Sequence, residues 1–270
     1  MQRFTDDSAY SAILLRLLPL LDDPPDDWHT VVSASPPRLV TFVNPLTVAT
    51  LRNRADFFDV LSRFDNIFAD GILLALVAGH LRGRPLRRAA FDGNSVAPAV
   101  FNAARREGRP IYFIGGPTGA AEKAAALFRR TFGVTVAGAE GGHFANPDAR
   151  RAALARVAAS RAPIVVVGMG SYIQERFLLD LVTSGWHGTG FTCGAYLEQA
   201  ARGRVAYYPT SFDRLHCRAI YRLVREGPRM AFRYLIDYLP FYIGTFQAWS
   251  AHVTAKRLSG RDAHPRTVRK

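Results

Sequence analysis

The sequence predicts an α/β protein with a Rossmann-like, mainly parallel sheet, helices on both faces, and a C-terminal basic and aromatic helical appendage. Three observations predict it. Short apolar runs rich in β-branched residues alternate with stretches of helical spacing. Glycines follow several of these runs directly, as at strand ends that face a ligand crevice. Beyond residue 210 this alternation gives way to arginine-rich and aromatic sequence.

Four apolar runs are assigned to buried strands of the sheet. They cover residues 39–43, 111–114, 134–136 and 164–167. Residues 120–130 and 149–159 lie between these runs and carry alanine, leucine and charged side chains at helical spacing. Strands that alternate with helices in this way form parallel sheets covered by helices on both faces.

The chain divides into four parts. Residues 1–35 are an acidic, proline-rich lead-in, residues 36–210 form the Rossmann-like domain, residues 211–255 form the helical appendage, and residues 256–270 form a basic tail. No apolar stretch reaches the roughly 18 to 20 uninterrupted residues that a membrane-spanning helix needs. The N-terminal sequence also lacks the cleavage site of a signal peptide.

The charge of the chain indicates an anionic partner. Lys and Arg number 35 against 22 Asp and Glu, a net charge of +13. Residues 211–270 alone hold 12 basic and 4 acidic residues, a net +8. The partner is either the phosphate of a nucleic acid or a membrane surface; the alternative is that the basic end is only a solvated tail. The composition, 49% hydrophobic and 21% charged, excludes a disordered or fibrous chain, and two cysteines exclude a disulfide framework.

Two glycine-rich turns are candidate phosphate sites. Gly115 and Gly116 follow one apolar run, and Gly168 ends another. Glycine lets the backbone approach a diphosphate, and the start of a helix favours negative charge. The spacing is not G-x-G-x-x-G, so the dinucleotide fingerprint is absent. Either the two turns form one ligand crevice, or each is a tight structural turn. Gln174 follows the second turn, and its amide can both donate and accept a hydrogen bond with a sugar or base.

Asp70 is the candidate general base, because it follows an apolar run and precedes a glycine. The alternative is that Asp-Gly marks a turn. The histidines do not form the zinc-binding pattern H-E-x-x-H, and the chain has no Asp-x-Asp triplet of the kind that holds a divalent cation. No metal is therefore expected, and arginines or helix ends would neutralise an anionic leaving group.

An arginine stripe is predicted in the appendage. Arg222, Arg225, Arg229 and Arg233 follow one another at three- and four-residue steps, which places them along one side of a helix. Tyrosine, phenylalanine and tryptophan follow, a composition suited to the headgroup layer of a bilayer. The alternative is a helix that packs on the core with a solvated arginine face.

Together these segments resemble the WecG/TagA/CpsF glycosyltransferases, glycosyltransferase family 26. The resemblance runs from about residue 39 to residue 234. It rests on six pieces in order: Thr41-Phe-Val-Asn-Pro45, Ala69-Asp-Gly71, Tyr112-Phe-Ile-Gly-Gly116 with Ala121-Glu122, Gly141-Gly-His-Phe144, Val167-Gly-Met-Gly170 with Gln174-Glu175, and Tyr221-Arg-Leu with Pro228-Arg229 and Arg233-Tyr234.

The resemblance implies an inverting transfer from a UDP-sugar to a polyprenyl-diphosphate-linked acceptor, in bacterial exopolysaccharide or cell-envelope polysaccharide synthesis. It makes residues 36–210 the catalytic domain and residues 211–255 the membrane-associating part. The implied location is the cytoplasm, at the inner face of the cytoplasmic membrane, with no metal cofactor and no nucleic acid. The donor sugar and a homo-oligomer stay open. The alternatives are a basic nucleic-acid-binding protein and a nicotinamide-dependent oxidoreductase, which the missing fingerprint disfavours.

The resemblance also implies roles for individual residues. Asp70 matches the proposed catalytic base. Arg88 stands for the arginine of the family's Arg-x-x-Gly-x-Asp, and the segment ending at Gln199 replaces Gly-Gly-x-Phe-Asp. The expected substrate-binding residues are Thr41, Asn44, Arg88, Gly115, Gly116, Gly168, Gln174, Glu175, Gln199, Arg222, Arg229 and Arg233.

Overall fold

Six parallel strands form one sheet within the part of the chain that the structure, a computed structural model, describes: residues 7–206, 243, 244, 246, 249 and 250. The order across the sheet is β2-β1-β6-β5-β3-β4, and every pairing is parallel. The predicted Rossmann-like α/β fold is therefore confirmed. The strands are β1 (Leu39–Val43), β2 (Asn66–Ala69), β3 (Ile111–Gly115), β4 (Val136–Glu140), β5 (Ile164–Gly168) and β6 (Thr189–Thr192).

Helices connect the strands and cover both faces of the sheet. A short 3-10 turn at Leu18–Leu20 follows the first helix. The helices of residues 7–206 are α1 (Asp7–Leu17), α2 (His29–Val32), α3 (Pro45–Asn53), α4 (Phe57–Leu61), α5 (Ile72–Arg82), α6 (Val96–Arg106), α7 (Ala120–Phe132), α8 (Pro147–Ala159), α9 (Ile173–Thr183) and α10 (Tyr196–Ala200).

The core is divided by the sheet into two apolar layers. On β5, Val165 and Val167 face a layer that contains Phe177 of α9, whereas Ile164 and Val166 face a layer that contains Phe128 of α7. Successive residues of a strand point to opposite faces, so a strand covered on both sides is apolar throughout. Burying each of these aliphatic side chains contributes roughly 1.5–3 kcal/mol. The central strands therefore contribute strongly to stability.

Local sequence explains the two helices that were predicted. Helix α7 lies between Gly119 and Gly133, which both adopt the left-handed conformation. Helix α8 begins at Pro147, and the Oδ1 atom of Asn146 accepts a hydrogen bond from the N–H of Ala149. Proline in the first turn and asparagine before it are favoured helix starts. Both helices confirm the prediction to within a few residues at each end.

The strand predicted at residues 134–136 is wrong in its position and in its burial. Strand β4 is Val136–Glu140, and its residues are half-buried or exposed. It lies at the edge of the sheet and pairs with β3 alone. Its centre is Ala-Gly-Ala, residue types with low strand propensity, so the apolar run that was visible lies before the strand.

The described residues of the lead-in pack into the core rather than projecting from it. Leu14, Leu17 and Leu21 are buried in one layer, and Trp28 and Val32 in the other. Of the appendage, the structure describes Ile243, Gly244, Phe246, Trp249 and Ser250, all helical. The rest of residues 211–255, Cys217 and the basic tail lie outside the described residues. No helix of the described chain is long and apolar enough to cross a membrane.

Candidate active site

The carboxyl ends of the parallel strands meet at one edge of the sheet, and this edge contains a topological switch point. Strand β3 leads to β4 on one side, whereas β5 leads to β6 on the other. Ligands of open α/β sheets bind in the crevice at such a point. Gly115 and Gly168 pair in register there, so the two glycine-rich turns do lie side by side, as the sequence predicts.

The contact between these two glycines is unusually close. Gly115 has φ +154°, and a Cβ atom added to it would lie 2.2 Å from the carbonyl oxygen of Gly168. The N–H of Gly116 donates to the same oxygen at 2.9 Å. The glycines thus bring two strand ends together, and the N–H of Gly116 is used within the protein. Diphosphate binding by Gly115, Gly116 and Gly168 stays a prediction.

We expect Gly115→Ala to lower the free energy of unfolding by about 3–5 kcal/mol, because the methyl group would overlap backbone atoms that cannot move aside. Gly108 is the matched control, since its φ is +62° and nothing lies within 4 Å of an added Cβ. Gly108→Ala keeps the backbone strain without the overlap and should cost about 1 kcal/mol. Urea unfolding measures both, and equal losses would contradict the close contact.

Asp70 lies at the same edge, at the end of β2. Val43 pairs with Ala69, so Asn44 and Asp70 leave the sheet next to each other. The N–H of Asp70 donates to the carbonyl oxygen of Val43 at 2.7 Å, which fixes its backbone. The side chain of Asp70 is 32% exposed. A base must reach its proton donor, so this partial exposure suits the predicted role.

Arg88 links Asp70 to a second carboxylate. Its Nη2 atom lies 3.1 Å from Oδ1 of Asp70 and 3.3 Å from Oδ2 of Asp92. The other oxygen of Asp92 accepts from the N–H of Asn94 at 2.9 Å. Arg88 and Asp92 are more buried than Asp70. Asp92 therefore holds Arg88 on its more buried side, while Arg88 contacts the partly exposed carboxylate of Asp70.

Asn44 caps the start of helix α3, and its side chain has one group for capping and one that a ligand could contact. Its Oδ1 atom accepts from the N–H groups of Leu46 at 3.0 Å and Thr47 at 3.2 Å. This capping satisfies N–H groups that a helix start leaves without partners. The amide nitrogen is the part of Asn44 that capping leaves for a ligand. The structure therefore brings Asn44, Asp70 and Arg88 together on the β1–β2 side.

Thr41, Gln174 and Glu175 form a buried hydrogen-bonded cluster below the edge. Glu175 Oε1 accepts from Thr41 Oγ1 at 2.8 Å and from Gln174 Nε2 at 2.9 Å, and its Oε2 accepts from the N–H of Tyr172 at 2.6 Å. Thr41 also contacts the hydroxyl of Thr192 on β6 at 2.9 Å. Burial raises the pKa of Glu175, while these donors act in the opposite direction.

The buried cluster connects the loops that surround the crevice. Gln174 Oε1 accepts from the N–H of Gly194 at 3.0 Å, which fixes the loop after β6. Ser171, after β5, donates to the hydroxyl of Thr47 on α3 at 3.3 Å. Thr41, Gln174 and Glu175 thus have internal partners in this structure. Their predicted contacts with substrate stay predictions.

The other predicted residues are placed less completely. Gln199 is half-buried on the short helix α10. Arg222, Arg229 and Arg233 lie outside the described residues, so the arginine stripe is neither placed nor excluded. Within residues 10–206 and the few described residues beyond them, no group of three or more His, Cys, Asp or Glu could hold a metal ion.

Three further residues have no role predicted from the sequence: Asp92, Thr192 and Tyr196. Asp92 follows Arg88 by four residues, and this spacing is the signal that could have identified it. Burial and the charge of Asp92 raise the pKa of Tyr196, and its buried hydroxyl has no hydrogen-bond partner in the described chain. Thr192 lies at the end of β6, and this strand is not among those predicted from the sequence.

The fold is that of an α/β protein in which Asp70, Arg88 and the paired glycine turns lie at the carboxyl edge of one parallel sheet. A sequence profile described as "Glycosyl transferase WecG/TagA/CpsF family" matches residues 23–254, so the chain belongs to that glycosyltransferase family. It is 28% identical over 210 residues to the UDP-Gal:alpha-D-GlcNAc-diphosphoundecaprenol beta-1,4-galactosyltransferase of Shigella boydii. The aligned region covers 76% of this chain and 84% of the relative. The resemblance seen in the motifs is confirmed, and the transferase interpretation is favoured over both alternatives.

Proposed function

We propose that this enzyme transfers a sugar, with inversion, from a UDP-sugar to a polyprenyl-diphosphate-linked acceptor, in exopolysaccharide or cell-envelope polysaccharide synthesis. The observation that carries the proposal is the carboxylate of Asp70 at the crevice, held by Arg88, in a chain of this family. The name of the Shigella boydii relative supports both substrate classes, since it specifies a UDP-sugar donor and a diphosphoundecaprenol-linked acceptor.

In the proposed reaction Asp70 accepts the proton of the acceptor hydroxyl as that oxygen attacks the anomeric carbon. The new bond forms on one face of the sugar while the bond to UDP breaks on the other, and UDP leaves with the electron pair. A single displacement of this kind inverts the anomeric centre, and it needs one base on the attacking side. Arg88 orients the carboxylate through its contact with Oδ1.

The crevice offers separate places for the two parts of the donor. Asp70 follows β2, Gly168 ends β5, and three strand spacings separate these strands in the sheet. At about 4.8 Å for each spacing, this distance is roughly 14 Å. A donor with its diphosphate at the β3–β5 turns would direct its sugar towards Asp70. This arrangement matches the predicted role of the glycine turns.

The last described residues before the appendage lie next to the segment that holds Asp92. A Cβ atom added to Gly93 would lie 1.9 Å from the carbonyl oxygen of Val205. Residues 205 and 206 therefore pass directly over the segment that holds Asp92, just before the appendage begins. We propose that Arg222, Arg229 and Arg233 neutralise the departing diphosphate, so that no metal ion is required.

The test is a transfer assay with UDP-galactose, UDP-glucose and UDP-N-acetylmannosamine as donors, and diphosphoundecaprenol-linked N-acetylglucosamine as acceptor. We expect transfer from at least one donor, at the same rate with EDTA as with added Mg²⁺. A rate that falls to background in EDTA and returns with Mg²⁺ would contradict the metal-independent mechanism. Protein recovered with the membrane fraction after lysis, but protected from protease added to intact cells, would support a location at the inner face of the cytoplasmic membrane.

UDP alone should raise the melting temperature in the presence of EDTA, because a ligand that binds the native state stabilises it. At about 100 times its Kd the stabilisation is about 2.7 kcal/mol, or roughly 5–10 °C for a chain of this size. NAD and single-stranded DNA are the controls. A shift with either of them and none with UDP would contradict the proposed donor class.

A further inference from the structure

An apolar surface follows Asp70 directly. Leu73 and Leu76 on helix α5 are exposed, with Leu76 at 61%. His80, one turn further along, is exposed on the same side. The inward side of α5 carries Leu74, Ala75 and other buried residues. The helix is thus apolar towards the core and apolar towards the outside.

This surface continues into the described part of the appendage. The ring of His80 lies 6.1 Å from that of Trp249, and Trp249 lies 5.8 Å from Phe246. Phe246 is 64% exposed and Trp249 is 38% exposed. The hydroxyl of Ser11 on α1 donates to the carbonyl oxygen of Gly244 at 3.0 Å, which anchors this segment to the core. We call the exposed group Leu73, Leu76, His80, Phe246 and Trp249 the α5–Trp249 face.

The chemistry of the α5–Trp249 face fits the surface of an anionic bilayer. Contiguous exposed apolar residues mark interaction sites, and tryptophan is enriched where a protein meets the membrane–water interface. Helix α5 contains no Asp or Glu, and its basic residues are His80 and Arg82. Phe246 and Trp249 belong to the 60-residue segment with a net charge of +8. Basic residues close to an anionic surface strengthen binding to it.

The position of this face next to Asp70 points to the same occupant. Leu73 and Leu76 lie three and six residues after Asp70, which is about 4–9 Å along the helix axis. The hydrocarbon chain of a polyprenyl-linked acceptor is held in the bilayer, so its diphosphate and sugar lie at the headgroup level. A base on this protein must therefore come close to the membrane surface. Docking through α5 achieves that directly.

We propose that the α5–Trp249 face docks the catalytic domain on an anionic bilayer and so brings Asp70 to the lipid-linked acceptor. The proposal extends the membrane contact from the appendage, where the sequence predicts it, to a helix of the catalytic domain. It rests on the proposed function only in the identity of the acceptor.

The first measurement is binding to vesicles of phosphatidylglycerol and phosphatidylethanolamine by co-sedimentation. The double variant Leu73→Ser/Leu76→Ser should bind about tenfold more weakly. Val182→Ser is the control, because Val182 is also exposed but lies at the far end of α9 from the crevice. It should bind as the wild type does. Equal binding by all three proteins, or an equal loss in both variants, would overturn the proposal.

The second measurement uses the tryptophans of the protein. Trp28 and Trp186 are buried, so Trp249 is the tryptophan that reports on a lipid surface. Vesicles should shift its emission to shorter wavelength, and Trp249→Phe should remove the shift. A shift that persists in Trp249→Phe would place the lipid contact elsewhere. Sedimentation velocity tests a second copy as occupant: a wild-type dimer that the double variant converts to monomer, with unchanged vesicle binding, would also overturn the proposal.

The third measurement separates this proposal from the proposed function. With an acceptor whose polyprenyl chain is replaced by a short, water-soluble alkyl chain, the double variant should turn over within twofold of the wild type. With the full-length acceptor in vesicles it should lose about tenfold. No turnover by the wild type on either acceptor would contradict the proposed function alone, since vesicle binding is measured without substrate. An equal loss on both acceptors would overturn the docking proposal.

Discussion

Replacing Asp70 with asparagine should lower kcat for sugar transfer by about a thousandfold or more, because general-base catalysis contributes on the order of 10²–10⁴ and asparagine cannot accept the proton. The side chain keeps its size and its acceptor oxygen, so the contact with Arg88 is retained in part. The melting temperature and the shift produced by UDP should stay close to those of the wild type. Transfer of radiolabelled sugar and thermal unfolding measure the two quantities.

Asp59→Asn is the matched control for the Asp70 variant. Asp59 is exposed on α4 and is not one of the candidate site residues, and the substitution is chemically the same. It should leave kcat and stability unchanged. A fully active Asp70→Asn enzyme would remove Asp70 from the mechanism. An inactive and unfolded one would instead assign Asp70 to the structure of the turn after β2.

The sequence predicts strands that have long apolar runs better than strands that lack them, for a physical reason. Strands β1, β3 and β5 are buried on both faces and are mostly apolar, with Thr41 as a polar exception, so they are visible as runs. Strand β6 begins and ends with threonine and has a glycine within it, and β4 is centred on Ala-Gly-Ala. Neither strand therefore shows a long apolar run, although β6 is buried between β1 and β5.

The sequence also predicts the positions of some candidate site residues but not the contacts between them. Asp70, Arg88 and the paired glycine turns lie where a strand end or a motif places them. The link from Arg88 to Asp92 depends on how the loop after α5 folds back on β2, shown by the N–H of Ala89 that donates to Ala69. Gln174 and Glu175 look like polar residues of a solvated helix start, yet the packing of α9 buries them. Such tertiary contacts leave no local pattern.

Replacing Glu175 with alanine should destabilise the protein strongly, because this buried side chain accepts hydrogen bonds from Thr41 on β1 and from Tyr172 and Gln174 at the start of α9. Thr41 can turn to Thr192, but the Gln174 amide and the Tyr172 N–H lose their acceptor. An unsatisfied buried donor costs about 1–3 kcal/mol, so we expect a total near 4 kcal/mol. The melting temperature should fall by about 10 °C. Glu122→Ala, at an exposed position on α7, should cost less than about 1 kcal/mol.

The pH dependence of stability distinguishes the charge of Glu175 from its hydrogen bonds. Burial raises its folded-state pKa above the ordinary value of 4.5, so the native protein retains this proton to a higher pH than the unfolded chain does. Its contribution to stability is therefore greatest below pH 4.5 and is lost as pH rises through the raised pKa. Glu175→Gln cannot titrate and should lose this part of the pH dependence, while keeping the acceptor for Thr41 and Gln174. Parallel unfolding curves for Glu175→Gln and the wild type between pH 4 and 8 would show that Glu175 keeps the same protonation state in the folded and unfolded chains. The cluster would then act through hydrogen bonds alone, and the cost of Glu175→Ala would measure them directly.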